Sequence, residues 1–350
     1  PEPKTAKLLN ENGEFLSADE GEQINQMSQD LSSIEFTAVD NLGVICTESD
    51  AIKYHIESIL NLRLVDIDKI KASSFKVVVD GVNSTGGIAV PQLLNELGVE
   101  VIPIHCNANG DFPHNPEPLA QHLTDLSEAV IAHEADLGIA VDPDVDRLVF
   151  MDEMGNLFGE EYTLVACADY VLRTNPGNTV SNLSSTRALS EVTRQYGGSY
   201  AASAVGEAHV VDLMKKTNAV IGGEGNGGVI YPELHYGRDA LLGIALFLSH
   251  LSHADCVVSL LRSQYPNWIM RKDKITLPPQ YDFDTLLESV ATTYEEFHVT
   301  IIDGVKIDFP DGWVHVRKSN TEPIIRIYAE AKTEQRLNEL VEKIQKLIKE

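Results

Sequence analysis

The sequence has few basic residues and no long apolar run, and each shortage excludes a class of function. Lys and Arg number 27 of 350 residues against 53 Asp and Glu, which gives a net charge of −26. A chain this acidic repels phosphate backbones and anionic lipid at long range, so we expect no nucleic-acid partner and no membrane partner. No apolar run approaches the roughly 18–20 residues of a membrane span, and residues 1–30 show no basic-then-apolar signal segment.

Cysteine is also scarce. The four cysteines lie far apart, without a C-x-x-C pair, at Cys46, Cys106, Cys167 and Cys256. Reduced thiols in a cytosol fit this spacing better than a cysteine zinc site or a disulfide framework, so we expect a cytoplasmic protein. The hydrophobic fraction of 43% is ordinary for a globular protein.

The first 45 residues give weak signals. Asn12-Gly13 between two short apolar runs predicts a hairpin, and Ser17 with Glu20 predicts a capping box at a helix start. No strand or helix signal precedes the hairpin in the chain, which begins Pro1-Glu2-Pro3. We therefore expect an incomplete first domain here.

Strand and helix patterns alternate through the middle of the chain. The run over 75–104 predicts a βαβ unit, and the apolar run 135–141 is typical of a strand buried on both faces of a parallel sheet. The same rhythm recurs over 160–251, and beyond 268 runs of strands with two helices predict a small α+β domain. The expected fold class is α/β, with successive related domains of mixed sheets and a C-terminal α+β domain.

Three carboxylates stand at alternate positions after the strand 135–141, in the turn Asp142-Pro-Asp-Val-Asp146. Ligands of open α/β sheets bind beyond this strand end, and a hard divalent cation relieves the repulsion between converging carboxylates. Asp142, Asp144 and Asp146 therefore predict a Mg²⁺ site, with a solvated acidic turn as the alternative. A calcium EF-hand is excluded because Arg147 occupies the position that requires glycine.

A glycine-rich loop follows the strand 219–222. Gly223, Gly225 and Gly228 satisfy the dinucleotide pattern, but the residues after them cannot open the helix that would bind a pyrophosphate. The loop instead presents Glu224 and Asn226, which together supply acceptors and donors for sugar hydroxyls. An ordinary glycine turn is the alternative, and the nearby Gly237-Arg-Asp239 either supports the loop or caps a helix.

A third polar loop, Arg317-Lys-Ser-Asn-Thr-Glu-Pro323, lies between two predicted strands and is followed by Arg326. Two guanidiniums, a lysine, hydroxyls and loop N–H groups form an anion cradle in a chain that is otherwise acidic. Phosphate is the expected ligand, and a polar hairpin with surface ion pairs is the alternative. A metal loop, a hydroxyl-binding loop and a phosphate cradle together predict a phosphosugar enzyme.

These three motifs, in this order and spacing, resemble those of the α-D-phosphohexomutases, which comprise phosphoglucomutase, phosphomannomutase and phosphoglucosamine mutase. The resemblance implies four domains around one cleft, the last similar to the TATA-binding-protein fold. It places the boundaries at 1–45 for the remnant of the first domain, 46–154 with the metal loop, 155–266 with the sugar loop, and 267–350 with the phosphate loop. The implied partner is a hexose 1-phosphate or 6-phosphate, and we expect a monomer or homodimer.

The resemblance also implies a mechanism. A phosphoserine gives its phosphoryl group to one hydroxyl of a hexose phosphate, the bisphosphate turns over, and the other phosphoryl group returns to serine, with net transfer between the C1 and C6 oxygens. Carried over, Asp142, Asp144 and Asp146 would hold Mg²⁺, and Arg147 would stabilise charge. Substrate would be bound by Glu224, Asn226, Arg317, Ser319, Asn320, Thr321 and Arg326. Glu207 is a candidate general acid or base, with capping of the next helix as the alternative.

The chain departs from the family pattern at one point. The family's serine lies in a T-A-S-H-N-P-like loop upstream of a segment that resembles Lys7-Leu-Leu-Asn10, and the 350 residues contain no such loop. We therefore expect the chain alone to bind Mg²⁺ or phosphosugar without turnover. A non-catalytic phosphosugar-binding protein is the alternative function, and a metal-dependent phosphatase is disfavoured because Asp142 does not open a D-x-D-x-[TV] loop.

Overall fold

The computed structural model describes residues 7–29, 32, 35–276, 282–319 and 324–349. Near its start, Leu9 and Phe15 form an antiparallel bridge around a turn that contains Gly13, which confirms the predicted hairpin. The backbone N–H groups of Ser17 and Glu20 each donate to the other residue's side chain, as a capping box requires. The helices of this part are α1 (Ala18–Gln29), α2 (Ala51–Leu60) and α3 (Ile67–Ser73), with a 3₁₀ turn at Val39–Asn41.

The first sheet has four strands in the order β2-β1-β3-β4. Parallel pairing joins β1 to β2 and β3, and β4 is antiparallel. The strands are β1 (Lys76–Asp80), β2 (Glu100–Ile104), β3 (Leu137–Val141) and β4 (Leu148–Met151). The connecting elements are α4 (Gly86–Glu96), a 3₁₀ turn at Ala120–His122 and α5 (Thr124–Ala132).

The second sheet repeats this topology in the order β6-β5-β7-β8, again with the last strand antiparallel. The strands are β5 (Asn178–Asn182), β6 (Tyr200–Ser203), β7 (Ala219–Glu224) and β8 (Gly228–Ile230). The helices are α6 (Glu160–Thr174), α7 (Arg187–Gln195), α8 (Glu207–Thr217), α9 (Ala240–Ala254) and α10 (Val258–Ser263). The shared topology confirms two related α/β units with mixed sheets.

The third sheet is wholly antiparallel, in the order β10-β11-β12-β13-β9. Its strands are β9 (Ile269–Thr276), β10 (His298–Thr300), β11 (Val305–Phe309), β12 (Gly312–Lys318) and β13 (Ile324–Ala331). Two helices accompany it, α11 (Phe283–Thr293) and α12 (Glu334–Lys349). This unit is the predicted C-terminal α+β domain.

One apolar core joins the first two sheets. Almost every residue of α6 and α9 is buried, and the ring of Phe247 on α9 stacks on Phe150 of β4 with centroids 3.8 Å apart. Because these helices pack against elements of both units, the carboxyl ends of β3 and β7 are held in fixed relation. None of the helices within the described residues has the length and apolarity to cross a bilayer.

Candidate active site

The aspartate turn begins where β3 ends. Oδ1 of the buried Asp142 accepts hydrogen bonds from the backbone N–H groups of Asp146 and Arg147, each at 3.0 Å. These bonds curl the chain so that carboxylate oxygens of Asp142, Asp144 and Asp146 all lie within 4.8 Å of one another. The three predicted metal ligands therefore converge.

The turn has the electrostatics of a cation site. Burial, together with the neighbouring carboxylate of Asp146, raises the pKa of Asp142 to about 7. Among the described residues, the buried Oδ1 of Asp146 has no hydrogen-bond partner, and the Lys7 ammonium contacts Asp144 and lies 3.2 Å from the other oxygen of Asp146. A hard divalent cation bound by carboxylate oxygens would remove the repulsion and satisfy the orphaned atom, so these residues fit Mg²⁺.

Arg147 follows the turn and projects into a cleft. Its Nη1 donates to Oε1 of Glu117 at 3.2 Å, and its Nε lies 3.6 Å from Oδ2 of Asp142. The guanidinium thus stands beside the aspartates, with a third of the side chain exposed. In that position the Arg147 guanidinium could bind an anion that also coordinates a metal ion held by the aspartates.

The glycine-rich loop joins β7 to β8. Gly227 has a φ of +86°, a conformation that L side chains rarely adopt, and an added Cβ there would meet the carbonyl of Leu148. Oε1 of Glu224 accepts from Asn182 at 2.9 Å and from the N–H of Gly206 at 3.2 Å. The buried carboxylate is therefore fixed in place at the wall of the cleft, where it can accept further bonds from sugar hydroxyls.

Arg238 joins three parts of the site. Its Nη2 donates to Asp146, its Nε to Glu207 and its Nη1 to Glu224, at 2.7, 2.7 and 2.8 Å. The guanidinium side chain is 9% exposed, so these are nearly desolvated ion pairs. Both sequence alternatives for the Gly237-Arg-Asp239 segment hold, because Arg238 supports the loop and Asp239 caps α9 by accepting from the N–H of Leu242.

Glu207 is the first residue of α8, and Gly206 occupies the N-cap position. Its Oε2 accepts the bond from Arg238, so the carboxylate is held in an ion pair rather than used as a helix cap. Burial raises its pKa above the ordinary value, and the Arg238 charge acts in the opposite direction. Glu207 lines the cleft together with the neighbouring His209.

A row of cations crosses the third sheet. In the strand register Arg317 on β12 lies opposite Arg326 on β13, and Arg326 lies opposite Lys274 on β9. All three line the cleft, as does the buried Ser319. Like charges on directly opposite residues destabilise a sheet, and a bound phosphate between them would offset that repulsion. Asn320 and Thr321, also predicted to bind phosphate, lie outside the described residues.

Buried polar contacts fix the third sheet against the second. His315 donates from Nε2 to the carbonyl of Asp303 at 2.6 Å, which leaves Nδ1 to accept from the Ser184 hydroxyl at 2.9 Å. Burial lowers the pKa of His315 to about 4, so the ring is neutral, as this arrangement requires. Arg187 adds a guanidinium bond to Asp308 at 2.8 Å. The cation row therefore has a defined position relative to the sugar loop.

The glycine-rich loop and the cation row line one cleft of about 970 Å³, and Arg147, directly after the aspartate turn, lines it as well. Its walls include Arg147, Glu224, Asn226, Arg317 and Arg326, and Arg238 connects it to the aspartate turn through Asp146. The volume is within the range of small-molecule sites, about 300–1,000 Å³. Asp142, Asp144 and Asp146 are not themselves among the residues that line this cleft, and the turn borders it through Arg147.

Sequence reasoning missed three cations of the cleft region. Lys7 was noted only as part of a resemblance, although its ammonium reaches the aspartate turn. Lys272 pairs with Glu160 and Glu161 at 3.1 Å each, and Lys274 completes the cation row. The signal for Lys272 and Lys274 was the strand MRKDKIT, in which these two lysines alternate on one face.

Models of the phosphoglucomutase/phosphomannomutase family match three segments of the chain. The alpha/beta/alpha domain II matches residues 53–155, the alpha/beta/alpha domain III matches 159–267, and the C-terminal domain matches 279–347. A phosphoglucomutase/phosphomannomutase of Thermococcus kodakarensis is 35% identical over the whole chain and 76% of its own length. A phosphoglucosamine/phosphogalactosamine mutase of Sulfurisphaera tokodaii is 30% identical over 98% of this chain and 76% of its own.

Solved structures show the same fold. A phosphoglucomutase/phosphomannomutase family protein of Burkholderia thailandensis superposes with a TM-score of 0.71 at 27% identity, over 81% of this chain and 63% of that one. An Aspergillus fumigatus N-acetylphosphoglucosamine mutase in complex with GlcNAc-6P and magnesium gives a TM-score of 0.57 at 13% identity, over 85% and 68% of the two chains. The chain thus spans about two thirds to three quarters of these relatives.

Proposed function

Because the chain belongs to the phosphoglucomutase/phosphomannomutase family of phosphohexomutases, we propose that its cleft binds a hexose 1-phosphate or 6-phosphate for phosphoryl transfer between the C1 and C6 oxygens. The observation that carries the proposal is the cross-strand row of Arg317, Arg326 and Lys274 in the same cleft as Arg147. A phosphate at one end of a sugar is a multivalent anion that suits this row, in which Arg317 already pairs with Asp303 at 3.2 Å.

The two ends of the site have different roles in binding and in phosphoryl transfer. The cation row, with Ser319, Asn320 and Thr321, binds the phosphate that is not reacting. Asp142, Asp144 and Asp146 would hold Mg²⁺, which when bound neutralises charge on the transferring phosphoryl group, and Arg147 adds to that stabilisation. Glu224 and Asn226 hold the sugar hydroxyls in between. Glu207 is a candidate proton carrier, since burial raises its pKa and it faces the cleft.

We propose that the substrate is a glucose, mannose or glucosamine phosphate. Relatives at similar identity carry phosphoglucomutase/phosphomannomutase and phosphoglucosamine/phosphogalactosamine mutase names, which supports both a neutral hexose and an amino sugar. Phosphoglucosamine mutase is therefore the second candidate. Carboxylates at the sugar loop and at Glu207 favour the ammonium group of an amino sugar, although Arg238 neutralises part of their charge.

We also propose that these 350 residues bind sugar phosphate without converting it, because no serine among them lies in a T-A-S-H-N-P-like loop. The purified chain is titrated calorimetrically with glucose, mannose and glucosamine 1-phosphates in the presence of Mg²⁺, and ³¹P NMR then reports any 6-phosphate. Binding without conversion is the expected result. Loss of binding in Arg317→Gln, but not in a Lys343→Gln control on the exposed face of α12, assigns it to the cation row.

Two outcomes contradict these proposals separately. Conversion by the unmodified 350-residue chain refutes the absence of turnover, and failure to bind any of the three sugar phosphates refutes the assignment of the cleft. Binding with no conversion by a longer chain that includes the serine loop would instead support the non-catalytic binding protein.

The remaining expectations stay proposals. We propose four domains with boundaries at 1–45, 46–154, 155–266 and 267–350, in a monomer or homodimer. We also propose a cytoplasmic location, which the four unpaired cysteines support because none of them forms a disulfide.

A further inference from the structure

We propose that Asp80, His105 and His114 form a second metal site, which takes a borderline divalent cation such as Zn²⁺ and is separate from the aspartate turn. Asp80 ends β1, His105 follows β2, and His114 lies in the loop after it. The two histidines therefore reach the carboxyl end of the first sheet from one loop.

The geometry suits a tetrahedral ion. Oδ2 of Asp80 lies 3.1 Å from Nδ1 of His105 and 3.0 Å from Nε2 of His114, and the three atoms lie within 4.8 Å of one another. Ligand atoms about 2.0–2.1 Å from a tetrahedral Zn²⁺ stand about 3.3 Å apart, so only small shifts are needed. Asp80 is 1% exposed, and its other oxygen accepts from the N–H of Val82 at 3.0 Å, which fixes the carboxylate.

A count of protons indicates a missing cation. Nδ1 of His114 lies 2.8 Å from the carbonyl of Asn115, which can only accept, and Nε2 of His105 lies 3.3 Å from the Asp125 carboxylate. All four ring nitrogens thus face oxygen acceptors, but two neutral imidazoles carry only two protons. This shortfall of protons is met either by added protons on the rings or by one divalent ion that takes the place of two ring protons.

A divalent ion satisfies every contact at once. It binds the lone pairs of His105 Nδ1 and His114 Nε2 together with Asp80, while the remaining protons point to Asp125 and to the carbonyl of Asn115. Outer partners of this kind, a carboxylate and a backbone carbonyl, orient metal-bound histidines in proteins. Two imidazoles and one carboxylate favour Zn²⁺ over Mg²⁺, which prefers oxygen ligands alone.

A second histidine pair shows the contrast. His55 and His235 each place one nitrogen, Nε2, on Oδ2 of Asp239, at 2.7 and 3.1 Å. Within the described part of the chain these are the two hydrogen bonds of the ring nitrogens of that pair, and two neutral rings supply both protons. That cluster needs no metal ion, so it serves as the matched control.

A metal ion here would also anchor one wall of the cleft. The loop that carries His114 continues to Glu117, which accepts from Arg147 at 3.2 Å, and on to Pro118 and Leu119 in the cleft lining. Asn83 fastens the same loop by bonds to the N–H of Asn107 and the carbonyl of Asp111. Removal of the ion should therefore loosen residues 105–119.

The test measures Zn²⁺ on the chelator-stripped 350-residue chain, without sugar phosphate and with millimolar Mg²⁺ present to fill the aspartate turn. We expect one tightly bound Zn²⁺ per chain by calorimetry and elemental analysis, and slower hydrogen exchange over 105–119 when it binds. Asp125→Asn should weaken binding about 10–100-fold, as loss of an outer partner does, and the ligand variant His114→Ala should weaken it further.

Variants and spectra keep the test decisive. His105→Asn preserves the positive φ of 47° at that position because Asn adopts this conformation, and circular dichroism checks that each variant folds. Co²⁺ in place of Zn²⁺ should give the visible spectrum of a tetrahedral site, lost in His105→Asn and His114→Ala and kept in His235→Ala. Two results overturn the proposal and leave two imidazoliums as the explanation. One is that the chain does not bind stoichiometric Zn²⁺ when Mg²⁺ is present, and the other is that Zn²⁺ still binds to both ligand variants.

Discussion

Arg238 is the residue on which the candidate site depends most, and Arg238→Ala tests this. The guanidinium is 9% exposed and pairs with Asp146, Glu207 and Glu224, whose side chains are 13%, 8% and 8% exposed. Removing one partner of a buried pair costs about 3–5 kcal/mol, because the charge left behind is desolvated and unpaired. Here three carboxylates remain, so we expect a loss at the upper end of that range.

Two measurements test this prediction: urea titration gives the free energy of unfolding, and calorimetry gives the affinity for glucose 6-phosphate. Arg238→Lys should recover only part of the stability, since one ammonium cannot match three fork-like contacts. Lys216→Ala is the control, because its ion pair with Asp212 is exposed on both sides and such pairs contribute about 0.3–0.5 kcal/mol. If Arg238→Ala destabilises no more than this control and binds sugar phosphate normally, the proposed role is wrong.

Three further predictions concern the phosphate end, the pH dependence and the core. Lys274→Gln should weaken sugar-phosphate binding about 10–100-fold in calorimetry, since hydrogen bonds to charged groups contribute about 1.5–3 kcal/mol. The hydrogen bond to Asp239 raises the pKa of His55, so this pair stabilises the fold below pH about 6.5 and loses that contribution as pH rises through the folded pKa. In urea unfolding at several pH values, His55→Gln should therefore show a smaller decrease in the free energy of unfolding across this pH range. Phe247→Ala should lower the free energy of unfolding by about 3–5 kcal/mol.

Matched variants check these three results. Lys343→Gln should leave phosphate binding unchanged because Lys343 is exposed on α12, away from the cleft lining. His133→Gln, at an exposed helix end, is the matched control for the His55 variant. Phe36→Ala, at a side chain 82% exposed, should change stability little. Equal effects in variant and control would contradict the corresponding structural argument.

The sequence predicted the elements whose pattern is local. β3 is an unbroken apolar run, so burial on both faces of a parallel sheet followed directly, and the aspartate turn after it followed from the position of binding sites in such sheets. β11 has no such local signal, because Lys306 and Asp308 interrupt its apolar run. In the fold Lys306 is buried over the ring of Trp313 at 4.5 Å, a tertiary contact that no local pattern contains.

The site was predictable residue by residue but not as a network. Glu224 and Asp146 were chosen from separate loops, and nothing in either loop shows that one guanidinium, Arg238, binds both. Lys274 was missed for a similar reason. Its partner Arg326 is set by strand register, which pairing between distant segments decides.

The charge of the whole chain does not decide what the cleft binds. At physiological salt, charges separated by more than about 8 Å are largely screened, so most of the −26 net charge acts weakly on a ligand in the cleft. Three carboxylates of the cleft lining are already paired, Glu160 and Glu161 with Lys272 and Glu224 with Arg238. The arginines and lysine of the third sheet, of which Arg317 pairs with Asp303 at 3.2 Å, add positive charge at the cleft, so an acidic protein can hold a phosphate without an overall electrostatic attraction to it.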